Sequence, residues 1–209
     1  MRFQLVIFDF DGTLADSFAW FASVLNSVAD KYRFKRVEPH EIDTLRGLSA
    51  AEMMRRQGVP AWKIPLIANH MRKLKAQQRE RTPLFDGTGD MLRRLSKAGV
   101  TIAIVSSDAE ANIRATLGAE LSNLISCFEC GASMFGKAAK FRKVLRRTGC
   151  DPHAAITIGD EIRDLEAARA AGIPFGAVAW GYTRFDALQA RRPDAAFVSI
   201  AEICDTLCK

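Results

Sequence analysis

The stretch LVIFDFDGTLADS, from Leu5 to Ser17, constrains this chain more than any other. Its apolar run reads as a strand buried on both faces, the pattern of a parallel sheet covered by helices. The run ends in Asp9 and Asp11, with Phe10 between them. Residues two apart in an extended chain point the same way. Two carboxylates at the tip of a buried strand repel each other and lose solvation. The arrangement therefore calls for a compensating cation.

After Leu14 the periodicity becomes helical. DSFAWFASVLNSVADKY reads as a helix with Asp16 or Ser17 as N-cap. EPHEIDTLRG and SAAEMMRRQG read as two short helices, the second opened by a Ser49–Glu52 capping box. VPAWKIPLIANHMRKLKAQQRER reads as one longer helix whose cationic run is a solvated face. Residues 16–82 thus carry no strand signal. From Pro83 helices and strands alternate: helix GTGDMLRRLSKAG with a Gly stop, strand VTIAIVSSD, helix AEANIRATLG, and a short strand ISCFEC. GKAAKFRKVLRRTG, AAITIGD, DLEAARAAG, FGAVAWG, AAFVS and IAEICDTLC continue the alternation to the last residues. The expectation is an α/β protein with a doubly wound, mainly parallel sheet. Residues 1–15 and 83–209 would form this core, and residues 16–82 a small all-helical insertion.

Open parallel sheets bind ligands beyond the carboxyl ends of their strands. The first strand ends in Asp9 and Asp11, the second in Ser106 and Ser107, and AAITIGDEIRD ends in Asp160 with Asp164 four residues on. If these strands are neighbours, four carboxylates and two hydroxyls share one crevice. Oxygen ligands without paired His or Cys point to a hard cation, Mg²⁺ by default. Lys137, at the start of a helix, is placed to add positive charge.

FDFDGTLADS, VSS, FGK and IGDEIRD together resemble the haloacid dehalogenase superfamily, and most closely its phosphoglycolate phosphatase-like branch. The resemblance implies that Asp9 is the nucleophile, forming an aspartyl phosphate, and that Asp11 is the general acid and base. It implies Ser106 and Lys137 as phosphoryl-binding catalytic residues, with Ser107 and Gly12 beside them. It implies Mg²⁺ held by Asp9, Asp160, Asp164 and the backbone carbonyl of Asp11. Family members that cleave carbon–halogen bonds or phosphonates lack an acid at the Asp11 position, so a phosphate ester or anhydride is favoured here. The helical block becomes a cap over the crevice. Phe18, Trp20, Arg46, Gly47 and Ser49 are its candidate substrate contacts, and WGYT from Trp180 borders the crevice. Ser107 stands where this branch often has Asn.

The net charge of +6 suits a small anionic ligand. There is no zinc finger, RNA-binding aromatic signature or long basic tail, so nucleic acid is not the expected partner. MRFQLVIFDF reads as running straight into the first strand, so neither a leader nor a membrane-spanning stretch is expected, and five scattered cysteines read as reduced thiols of a cytoplasmic protein. The Cys127/Cys130 pair lacks a second pair to make a metal site. The expected activity is Mg²⁺-dependent hydrolysis of a small phosphorylated metabolite, phosphoglycolate-like or a sugar phosphate, by a monomer or homodimer. A phosphomutase on the same fold, and a non-enzymatic phospho-receiver or binding protein, are the alternatives.

Overall fold

The computed structural model describes residues 3–131 and 136–208. Six strands among them form one parallel sheet in the order β3-β2-β1-β4-β5-β6. They are β1 (Leu5–Phe8), β2 (Thr101–Val105), β3 (Cys127–Glu129), β4 (Ala155–Gly159), β5 (Phe175–Val178) and β6 (Ala195–Phe197). The helices are α1 (Phe18–Tyr32), α2 (Ile42–Leu45), α3 (Ala50–Arg56), α4 (Ile64–Gln77), α5 (Thr88–Lys97), α6 (Glu110–Asn123), α7 (Lys137–Thr148), α8 (Ile162–Ala171), α9 (Phe185–Gln189) and α10 (Ile200–Leu207).

Successive side chains of a strand face opposite ways, and the two cores follow from that rule. Val6 and Phe8 of β1 join Ile102, Ile104, Ile156 and Ile158 against Leu92, Leu95, Ile113 and Ile203 of α5, α6 and α10. Leu5 and Ile7 join Ala103, Val105 and Phe175 against Phe141, Val144, Leu165 and Leu188 of α7, α8 and α9. Burying each such aliphatic or aromatic side chain contributes about 1.5–3 kcal/mol. The central strand is apolar throughout because helices cover both of its faces.

Between β1 and α5 the described chain is helical, from Phe18 to Arg81. It leaves and re-enters the sheet region through adjacent backbone. Ala15 bridges Leu84, and the Asp16 N–H donates to the Pro83 carbonyl at 2.8 Å.

Local chemistry shifts several elements from their expected form. The long cationic helix divides into a 3-10 turn at Ala61–Lys63, α4, and a second 3-10 turn at Arg79–Arg81. Pro65 has no N–H to return to the Ala61 carbonyl, so the α-helical register begins only at Ile64. Gly118 takes φ 73° inside α6, yet the helix resumes to Asn123, because Leu117 and Leu121 on either side pack into one core. Ser17 occupies the N-cap of α1 without capping it; its hydroxyl pairs instead with the Tyr182 hydroxyl at 2.9 Å. The short α9 has no helical periodicity long enough to read and is anchored by buried Leu188.

Glu129 ends β3 beside Val105, buried, with Lys143 and Arg147 of α7 each at 2.9 Å. Burial pushes its carboxyl up, but the hydrogen bonds from Lys143 and Arg147 outweigh it and hold it below the usual range. A lowered folded-state pKa stabilises above the unfolded value, and the benefit disappears as pH falls through the folded one. Glu129→Gln is expected to cost on the order of 1 kcal/mol at pH 7, because both cations are half exposed. Melting curves should show the difference shrinking below the ordinary carboxylate range; a pH-independent difference would contradict this reading.

Candidate active site

Asp9 follows β1 and stays in the sheet, its N–H donating to the Ile158 carbonyl of β4 at 2.9 Å. β4 ends at Gly159, so Asp160 emerges beside it. Glu161 and Asp164 then form a capping box at the start of α8, which turns Asp164 back toward the strand ends. Carboxylate oxygens of Asp9, Asp160 and Asp164 all lie within 4.8 Å of one another, and all three residues are buried. Three carboxylates without His or Cys are the donor set of a hard divalent cation.

Lys137, the first residue of α7, enters this cluster with Nζ 2.9 Å from Asp9 Oδ2 and 2.5 Å from Asp164 Oδ1. Burial opposes the charge on Lys137, but Asp164 and Asp9 outweigh it and raise its pKa. Burial likewise raises Asp9, yet Lys137 and then Arg163 prevail and hold its carboxyl below the usual range. Asp164 is pushed up to about 7 by burial, only partly offset by Lys137. Asp160 lies well above the usual range, through burial and then the charges of Glu161, Asp9 and Asp164. Asp9 is thus the carboxylate most readily ionised, and Asp160 the one most in need of a further cation. The Phe135 of the FGK motif lies outside the described residues.

Asp11 goes elsewhere. β1 ends at Phe8, and Asp11 lies in a turn closed by the Leu14 and Ala15 N–H groups on the Phe10 carbonyl. Its carboxylate is outside the three-Asp cluster and is engaged by Lys75 Nζ, which also lies 2.8 Å from Asp108 Oδ2. Lys75 belongs to the run expected to be a solvated face, and the structure corrects that reading: it is 5% exposed, at the far end of α4. Burial opposes its charge, but Asp11 and Asp108 outweigh burial and raise its pKa. Helical spacing carried the only sequence signal for it, since Ile64, Ala68, Met71 and Lys75 share one face of α4. Buried Ser106 accepts the Asp108 N–H at 3.1 Å, and Lys140 Nζ holds the Ser106 carbonyl at 2.9 Å.

The loop after β5 closes the other side. The Tyr182 N–H and the Thr13 hydroxyl both donate to Asp160, at 2.8 and 2.7 Å. Gly12 has φ 77°, and a Cβ there would stand 2.3 Å from Asp160 Oδ2; one on Gly181 would stand 2.1 Å from Asp160 Cβ. Only glycine lets both loops approach that carboxylate. Arg46 donates to the Gly181 and Tyr182 carbonyls at 2.9 Å and lies over the Phe18 ring, tying the helical segment to this loop. Ser49 caps α3 through Glu52 and is not among the residues lining the two cavities at the site; Gly47 is not among them either. Phe18 and Arg46 line a mostly apolar cavity of about 380 Å³ between the helical segment and the core residues Glu161, Arg163, Tyr182 and Thr183. Trp20 lines a second, of about 390 Å³, together with Asp11, Ser107, Asp108, Lys75 and Arg72. Cys127 and Cys130 are free, and burial pushes the Cys130 thiol up to about 12, opposite to the lowering that activates a thiol.

Lys75→Met would leave Asp11 and Asp108 without their shared cation. Removing one partner of a buried pair costs about 3–5 kcal/mol. Because Asp11 reaches solvent, about 1–3 kcal/mol is expected here. That corresponds to a fall in Tm of about 3–10 °C in calorimetry. An unchanged Tm would mean that Lys75 does not occupy this position.

Comparison with known proteins gives the family. The family model for haloacid dehalogenase-like hydrolases matches residues 6–178. Phosphoglycolate phosphatase of Synechococcus elongatus is 31% identical over 91% of both chains. Tyrosine-protein kinase PtkA of Mycobacterium tuberculosis is 31% identical over 88% of this chain and 64% of its own. A haloacid dehalogenase-like hydrolase from Streptococcus pneumoniae superposes with a TM-score of 0.80 at 21% identity, over 98% of both chains. The chain belongs to the haloacid dehalogenase-like hydrolases, within their phosphoglycolate phosphatase-like branch.

Proposed function

We propose that this phosphatase is Mg²⁺-dependent and hydrolyses a small phosphorylated metabolite through an aspartyl phosphate on Asp9. The observation that carries the proposal is the pairing of Asp9, the lowest-pKa carboxylate of the cluster, with Lys137 at 2.9 Å. Asp9 would attack phosphorus while the bond to the leaving oxygen breaks, and Asp11 would give that oxygen a proton. Asp11 would then take a proton from water as the water attacks phosphorus and the bond to Asp9 breaks. Ser106, Ser107, Lys137 and the backbone at Gly12 would hold the phosphoryl oxygens. Asp9, Asp160, Asp164 and the Asp11 carbonyl would hold Mg²⁺, which supplies charge neutralisation for attack on an anion.

Residues 16–82 act in this reading as a cap domain on the core formed by residues 1–15 and 83–209. The cap shields the reacting atoms from water and selects the substrate. Its Lys75 reaches Asp11, so the acid and base works beneath a cap contact. No described helix is long and apolar enough to cross a membrane, and the five cysteines are free. Both fit a protein working in the cytoplasm.

The test is release of inorganic phosphate from a panel of phosphorylated metabolites, including phosphoglycolate and sugar phosphates. Turnover is expected to need added Mg²⁺, to stop with EDTA and to vanish in Asp9→Asn. Asp11→Asn should slow alkyl esters by about 10²–10⁴, the usual worth of general acid catalysis, and affect p-nitrophenyl phosphate far less. Near-normal turnover of Asp9→Asn would refute the nucleophile. Transfer back to a sugar phosphate with no phosphate released would make the enzyme a mutase.

A further inference from the structure

The leaving group of a phosphate ester must lie beside the residue that protonates it. Asp11 opens onto the cavity of about 390 Å³, so the walls of that cavity surround the leaving group. One wall is a single face of α4: Ile64, Ala68, Met71, Arg72 and Lys75, spaced at helical intervals. With Trp20 this face is mostly apolar. A cavity of this size lies in the range that takes a drug-sized ligand. Glycolate, with two carbons and three oxygens, would leave most of it unfilled.

The charges in the wall are unevenly matched. Lys75 is held between Asp11 and Asp108, and Arg163 pairs with Glu161. Arg72 has no carboxylate partner among the described residues; its Nη2 reaches only Asn69 Oδ1, at 3.4 Å. It is half-buried and lies one position beyond Met71 on the cavity wall. A planar guanidinium in that setting suits a carboxylate, which it can take with two hydrogen bonds.

We infer that the substrate's leaving group has an apolar body larger than glycolate, lying along Trp20, Ile64 and Met71, and carries a carboxylate that Arg72 receives. This inference rests on the phosphatase reading above and narrows its substrate class. Arg72 is then a specificity-determining residue.

Steady-state kinetics on three probes test it: 4-carboxybenzyl phosphate, benzyl phosphate and phosphoglycolate. Wild-type kcat/KM is expected to be at least tenfold higher for the carboxybenzyl ester than for either other probe. In Arg72→Gln the ratio of carboxybenzyl to benzyl turnover should fall about tenfold, through KM, as loss of one charge-assisted contact implies. Arg72→Lys should restore part of it. Preference for phosphoglycolate, or a ratio unmoved by Arg72→Gln, would overturn the inference and leave the phosphatase reading standing. If no probe released phosphate in an Asp9-dependent way, both would fall.

Discussion

Three buried carboxylates meeting within 4.8 Å are the constraint on which the rest of this molecule depends. Two like charges about 4 Å apart repel by roughly 4 kcal/mol even at an effective dielectric of 20. Lys137 neutralises one charge of the three, and Arg163 is occupied by Glu161. Two negative charges are left over, the charge of one divalent cation. The same imbalance explains why Asp9 and Asp160 part company. Asp9, beside Lys137, stays ionised, whereas Asp160 has backbone and hydroxyl donors but no lysine or arginine ion pair among the described residues.

The fold exists to make that meeting possible. β1 and β4 are neighbours at the point where the strand order reverses, so Asp9 and Asp160 leave the sheet side by side. The turn at Gly12 and the loop at Gly181 close on Asp160 so tightly that neither could carry a side chain. The helical segment then delivers Lys75 from above to Asp11 and Asp108. Charges on separate elements are thereby paired across the seam, with Arg46 fastening the same segment to the loop at Gly181 and Tyr182.

Much of this was legible in the sequence, for a physical reason. The sheet announces itself because both faces of β1 and β4 are covered, which forces uninterrupted apolar runs. The acidic residues are legible because each directly follows such a run or stands one helical turn beyond it. Lys75 was not, because a buried lysine inside a cationic helix has the same spacing as a solvated one until the partner across the seam is known. Nor was the turn of the Asp11 carboxylate away from the three-carboxylate cluster, since two-residue alternation holds only while the chain stays extended, and β1 stops at Phe8. Ser49 read as a substrate contact and as a capping residue, and the capping box with Glu52 is where the structure places it.

A crystal structure grown with Mg²⁺ and beryllofluoride, a mimic of the phosphoryl group, would test the central claim most directly. The expected result is one ion bound by Asp9 and Asp160, with beryllium attached to Asp9 and Lys137 alongside. Beryllium on a different carboxylate, or an ion that avoids the pair, would contradict it.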